Sequence, residues 1–164
     1  MKQSKEDNGE AIAKSIFEMA RLKVPIIAIV IGEGSSGGAL ALGVANQVFM
    51  LENAIYSILS PEGFASILWK DASRTKEAAE KMKLTAKDLL ELEIIDKVIK
   101  EPKYETKESF QKVADCLRNE IKSAIIKMQT MSKADILEHR YSKFRNMGKF
   151  KILEEGEKKN DIKR

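Results

Sequence analysis

The chain has 164 residues, 43% of them hydrophobic and 33% charged, with a formal net charge of +4. That length and balance allow one domain with a sizeable core plus a helical extension, and exclude a disordered tail. With 3 Pro, 9 Gly, one cysteine (Cys116) and one histidine (His139), the sequence excludes Pro-rich classes, an internal disulfide and a thiolate zinc site, and argues against a histidine-based metal site.

Cysteine usage fits a reducing, cytosol-like compartment. The polar, acid-containing N-terminus does not read as a signal peptide. Glu10 to Leu22 reads as a helix with one apolar stripe through Ile12, Ile16 and Met19. Val24 to Ile31 is continuous, apolar and rich in β-branched residues, the pattern of a strand buried on both faces, and it is too short to cross a bilayer. Gly32-Glu-Gly-Ser-Ser-Gly-Gly38 then reads as a turn, and Ala39–Ala45 as a short buried helix. Gln47–Leu51 and Ala54–Ile58 read as strands. Ser60 suits a helix N-cap, with Pro61 in the first turn and Glu62 at the positive end. Ser73–Met82 reads as another helix, Thr85 as the cap of the next, and Ile94–Ile99 as a strand. Beyond Pro102, helical spacing of apolar residues from Phe110 to Met128 predicts a long helix. Ser132 caps a second, running to about Asn146.

Charge is uneven: residues 1–100 carry a net −1 and residues 101–164 a net +5. The surplus gathers in 133–151, interleaved with Tyr141, Phe144 and Phe150. Such a segment could bind nucleic acid by charge and stacking. Flanking acids favour instead a solvated helix face whose aromatics pack inward. A surface for a subunit or an anionic ligand is a third reading.

The strand–glycine–helix element supports four chemistries. Gly32 to Gly37 fits G-x-G-x-x-G, with Glu52 placed as a ribose-binding acid of a dinucleotide site. Gly34-Ser-Ser-Gly-Gly38 fits G-x-S-x-G, which would make Ser36 a nucleophile, with only His139 as base. A phosphate cradle lacks the completing Lys-Ser/Thr. An oxyanion hole built from the N–H groups of Gly37 and Gly38 needs no histidine, cysteine or metal. A purely structural turn has equal standing on these residues alone.

Several segments together resemble the carboxyltransferase alpha subunit of bacterial and plastid acetyl-CoA carboxylase. They are Glu10-Ala-Ile-Ala-Lys14, Ile31-Gly-Glu-Gly-Ser-Ser-Gly-Gly-Ala-Leu-Ala41, Tyr56-Ser57, Ser60-Pro-Glu-Gly63, Ile67-Leu-Trp-Lys70, Ile95-Asp96 and Arg140-Tyr-Ser-Lys-Phe-Arg-Asn-Met-Gly148. The resemblance implies an α/β fold, a partial crotonase-type β-β-α spiral followed by a C-terminal helical hairpin. Residues 1–101 would be the C-terminal portion of the crotonase-like domain, 102–150 a helical extension, and 151–164 a flexible charged tail. The implied reaction moves a carboxyl group from carboxybiotin, held on a carrier protein, to acetyl-CoA, giving malonyl-CoA. Gly37 and Gly38 would hold the enolate-like ureido oxygen; Gly34, Ser35, Ser36, Ser60, Pro61, Glu62 and Gly63 would line the substrate. No metal is implied, and no side chain need be the general base. A non-catalytic fragment that only binds partners, or a crotonase-fold enzyme acting on another acyl-CoA, are the alternatives.

The implied partners are a carboxyltransferase beta subunit, the biotin carboxyl carrier protein, a second alpha chain and a separate chain carrying the N-terminal half. The last is one of two alternatives: the family's upstream segment, with its first spiral turns, has no counterpart here, so either another chain covers the sheet edges and apolar faces or this chain is poorly stable alone. No membrane or nucleic-acid partner is implied, and the setting is cytoplasmic, or the stroma in a plastid-bearing organism. Three further departures stand out. Lys103-Tyr-Glu-Thr106 replaces a Gly-Gly-Ala-His segment, Asn46 stands where Asp is usual, and Glu93 stands at a Gly position, which predicts a strained turn.

Overall fold

A computed structural model describes residues 4–103 and 106–148. Helix α1 (Ser4–Arg21) leads into strand β1 (Ile27–Val30), followed by β2 (Glu33–Ser35), α2 (Ser36–Leu42), β3 (Gln47–Leu51) and β4 (Ile55–Ser57). Helix α3 (Pro61–Leu68), a 3-10 turn at Ala72–Arg74, α4 (Thr75–Met82) and α5 (Ala86–Glu91) precede β5 (Lys97–Ile99). Two longer helices, α6 (Lys107–Gln129) and α7 (Lys133–Asn146), close the described chain.

The strands form two parallel groups. One is ordered β1-β3-β5, with Ile27 opposite Gln47 and Phe49 opposite Lys97; the other pairs β2 with β4, Ser35 opposite Ser57. Parallel neighbours need crossover connections, and α2 supplies one and α3 to α5 another. Val48, Phe49, Met50, Ile95 and Ile99 make the core, and Ala124 and Met128 of α6 and Ile136 of α7 pack into it. Helix α6 lies against β5, whereas α7 lies against α1.

Polar side chains start four of the helices, three of them at the caps read from sequence and the fourth at Thr106. Ser60, Thr85, Thr106 and Ser132 each accept a hydrogen bond from a first-turn N–H, and Thr106 and Ser132 complete capping boxes. Glu93 adopts φ +59, in the left-handed region, as its glycine position predicted.

The structure corrects several expectations. The strand expected over Val24–Ile31 is limited to Ile27–Val30 and is half-buried rather than covered on both faces, because one of its edges has no partner among the described residues. The glycine turn contains a strand of its own, β2, held by pairing with β4. The basic segment inverts its expected orientation. Arg140 is 2% exposed, while Tyr141 is 63% exposed. Acceptors at the end of α1 draw the guanidinium inward, and the ring is left outside. Phe150 and the charged tail lie outside the described residues. Among the described residues, no helix is long and apolar enough to cross a membrane.

Candidate anion-stabilising turn at the ends of two parallel strands

The site residues named from sequence fall on two turns. Gly34 and Ser35 are in β2, and Ser36, Gly37 and Gly38 open α2. Ser60 to Gly63 form the cap and first turn of α3, which follows β4. Because β2 and β4 are parallel and Ser35 pairs with Ser57, both turns leave the same end of the pair. The carboxyl ends of parallel strands are where α/β sheets present helix N-termini to ligands.

The two turns differ in how their N–H groups are used. On α3, Ser60 Oγ accepts from Gly63 N at 3.2 Å, so the serine is committed to capping. Exposed Glu62 sits in that first turn, favoured there by the helix dipole. On α2, the cap residue Ser35 makes no side-chain hydrogen bond to the helix. The first N–H groups of a helix have no intrahelical acceptor, so this turn keeps donors for an incoming group.

Backbone shape at the α2 turn is set by small residues. Ser36 has φ +64, a conformation that bends the chain sharply from β2 into α2. A Cβ at Gly37 would come within 3.1 Å of Ile12 Cδ1, so this glycine lets α1 press against α2. A Cβ at Gly34 would meet the Tyr56 ring at 3.0 Å. At Gly38 a Cβ would meet nothing within 4 Å. Gly38 therefore has open space beside it, in the groove between α1 and α2 that Ala11, Ile12 and Leu42 also line.

The other readings of the glycine segment find no such support. In place of a dinucleotide loop there is a paired strand, and Glu52 accepts from Glu101 N at 3.2 Å. Ser36 is exposed at the carboxyl end of the strands. His139 Nδ1 lies 3.4 Å from Asn46 Nδ2, and Asn46 Oδ1 accepts from Ile26 N at the opposite end of β1. The one histidine is therefore not placed to activate Ser36. Among the described residues, no group of three or more His, Cys, Asp or Glu could hold a metal ion.

Sequence reasoning missed four supports of this site. Tyr56 Oη donates to Ala39 O at 3.3 Å, bracing the middle of α2, and its burial raises the phenol's pKa. Gly43 leaves space for that hydroxyl, which a Cβ would overlap. Arg140 ties α7 to the end of α1, and Lys143 pairs with Asp96, whose carboxylate also accepts from Val48 N at 2.6 Å. The Arg140–Gly148 motif carried a signal for the last two, since its basic residues recur at helical spacing.

Comparison with known proteins shows the fold and the family. The fold is shared with a Pseudomonas malonate decarboxylase hetero-tetramer solved with coenzyme A (TM-score 0.62, 19% identity, 80% of this chain and 52% of that chain). It is shared also with transcarboxylase 12S solved with methylmalonyl-coenzyme A (TM-score 0.59, 24% identity, 79% and 25%). The architecture is thus a crotonase-type β-β-α core followed by C-terminal helices. The family described as acetyl co-enzyme A carboxylase carboxyltransferase-like matches residues 1–148, and the chain belongs to it. It is 58% identical over 142 residues to the acetyl-coenzyme A carboxylase carboxyl transferase subunit alpha of Clostridium acetobutylicum, covering 87% of this chain and 52% of that one. A carboxyl transferase of Natranaerobius thermophilus, subunits beta/alpha, is 54% identical over 142 residues, 87% of this chain and 24% of its own. The chain spans about half the length of the alpha subunit of C. acetobutylicum.

Proposed function

We propose that this chain forms the alpha side of an acetyl-CoA carboxyltransferase, in which the turn at Gly37 and Gly38 stabilises the anionic oxygen formed as CO2 leaves its donor. The observation that carries this reading is the uncapped start of α2, with open space over Gly38, beside the start of α3. Carboxybiotin on a carrier protein supplies the CO2, and its ureido nitrogen supplies the base that deprotonates acetyl-CoA.

The chain's own part is electrostatic and positional. Two fixed N–H donors favour negative charge on the oxygen without reorganising, and removing one such donor typically costs about 3 kcal/mol of transition-state stabilisation. Ser36 holds the bend that presents them. Gly34, Ser35 and the Pro61–Gly63 turn line the approach, and Ser60 acts by fixing the start of α3. The methyl carbanion of acetyl-CoA is kept close to the released CO2 by the closed interface with a partner chain.

The beta subunit, the carrier protein and a second alpha chain complete the assembly, which works in the cytoplasm or a plastid stroma. Two relatives support a multi-subunit site: beta and alpha regions share one chain in the N. thermophilus protein, and the malonate decarboxylase was solved as a hetero-tetramer. Acetyl-CoA is the acyl substrate on this reading.

Transfer of labelled CO2 tests it. The chain, assembled with the remaining alpha portion and the beta subunit, is given the carrier loaded with 14C-carboxybiotin. Acid-stable label in malonyl-CoA, at a higher rate than in methylmalonyl-CoA from propionyl-CoA, is the expected result. An assembled complex that transfers no label to acetyl-CoA overturns the reading.

A further inference from the structure

Helix α2 has 7 residues, too few to hold its own place by internal hydrogen bonds. Its position is set by what touches it. On one side Gly37 lies against Ile12 of α1. On another stands Tyr56, whose strand β4 is fixed in turn: Tyr56 pairs with Gly34 of β2, and its N–H donates to Leu84 O at 3.2 Å.

The Tyr56 side chain reaches α2 before, within and after the helix. Its ring edge would lie 3.0 Å from a Cβ at Gly34, its hydroxyl donates to Ala39 O at 3.3 Å, and the same oxygen would lie 2.3 Å from a Cβ at Gly43. Ala39 O accepts also from Gly43 N at 2.9 Å, so the hydroxyl joins the bond that closes the helix. Cavities of about 490 and 510 Å³ flank the ring, and Tyr56, Gly43 and Val48 line both. With open space on both sides, packing alone does not hold the ring against α2; the hydrogen bond does. Burial raises the phenol's pKa, so the hydroxyl stays a donor.

We propose that Tyr56 is a positioning residue for carboxyl transfer: the bond from its hydroxyl to Ala39 O sets where α2 lies, and so where the Gly37 and Gly38 N–H groups point. Tyr56 touches no substrate on this account. It acts through Ala39, the residue next to Gly38. A small displacement of fixed donors weakens their hold on a developing charge, so the effect falls on the chemical step and not on substrate binding. The inference rests on the carboxyltransferase reading for its kinetic consequence, but the fixing of α2 is read without turnover.

Tyr56→Phe in the assembled carboxyltransferase tests it, since the ring is kept and only the hydroxyl is lost. The expected result is a fall in kcat of about 10-fold or more with KM for acetyl-CoA unchanged, as for a misplaced catalytic group. Hydrogen exchange of the α2 amides should quicken in the same variant while circular dichroism stays unchanged. Tyr56→Phe combined with Gly43→Ala separates positioning from packing, because the new methyl fills the volume that the hydroxyl leaves. With no donor facing Ala39 O, kcat should stay low in the double variant. Parent kcat in Tyr56→Phe, α2 exchange at the parent rate, or kcat restored by the added methyl overturns the proposal. A parent complex that makes no malonyl-CoA overturns the carboxyl-transfer reading, and α2 exchange in Tyr56→Phe then decides this one by itself.

Discussion

Arg140 Nη2 donates to Asn46 Oδ1 at 2.8 Å, joining two buried side chains 94 residues apart. The same guanidinium donates to Met19 O, Ala20 O, Leu22 O and Val24 O at 2.8–3.1 Å. Those carbonyls belong to the end of α1 and the segment leading to β1, where the helix dipole favours a cation. Asn46 also donates to Ile136 O at 2.9 Å and accepts from Ile26 N at 3.1 Å. One arginine thus fixes α1, β1, β3 and α7 to each other. Asn46 supplies no counter-charge, and burial lowers the guanidinium's pKa.

Arg140→Ala should destabilise the chain by about 3 kcal/mol or more, because several buried acceptors lose their donor together. Arg140→Lys should recover only part of this, since one ammonium cannot span the five acceptors. Urea unfolding followed through Trp69 fluorescence measures both. Equal stability of Arg140→Ala and the parent would show that the network is not a support.

Glu93→Gly should stabilise the chain by about 1 kcal/mol. Glu93 sits at φ +59, which costs an L-residue about 1–2 kcal/mol, less the entropy that glycine adds to the unfolded chain. Glu93→Val should lower the melting temperature, because a β-branched residue tolerates that conformation least. Thermal unfolding of the pair gives opposite signs if the strain is real.

Much of the fold was legible in the sequence, and the reasons are local. Gln47–Leu51 was read with its observed bounds because four consecutive apolar residues, Val48–Leu51, lie between polar Asn46-Gln47 and Glu52-Asn53. The caps at Ser60, Thr85 and Ser132 were legible because capping depends on three or four neighbouring residues. Arg140 was misread as solvated because its partners are four main-chain carbonyls 116–121 residues away and the Asn46 side chain 94 residues away, which no composition records. β2 was missed because Glu33-Gly-Ser35 has no strand propensity; pairing with β4 makes it a strand. Gly37 and Gly38 were named for their absent side chains, but the contact of Gly37 with Ile12 and the open space over Gly38 needed coordinates.

Gly43→Ala should destabilise the chain by about 1–3 kcal/mol, since the new methyl overlaps Tyr56 Oη. Tyr56→Phe removes that oxygen together with its hydrogen bond to Ala39 O. The double variant should therefore be more stable than the sum of the two single changes predicts, by roughly 1 kcal/mol. Strict additivity in a double-mutant cycle would show that the two residues do not press on each other.

Stability should fall on the acid side through two helix starts. The Ser73 hydroxyl and N–H hold Asp71 below the ordinary aspartate range, and the Thr85 hydroxyl, with Lys83, does the same for Asp88. A lowered folded pKa stabilises the native state above the unfolded value, and this contribution is lost as pH falls through the folded value. Asp71→Asn with Asp88→Asn should flatten the stability profile below the ordinary carboxylate range, and leave a smaller loss near neutrality. An unchanged acid limb in denaturant titrations would contradict this.

The most direct test of the central claim is turnover by Gly38→Val in the assembled carboxyltransferase. The added side chain enters open space, so folding and assembly should be kept, while an oxygen approaching the α2 donors is blocked. The account predicts a fall in kcat of about 100-fold or more, as for loss of an oxyanion donor, with the complex intact by light scattering. Malonyl-CoA formation at the parent rate would contradict it and place the anion-stabilising group elsewhere.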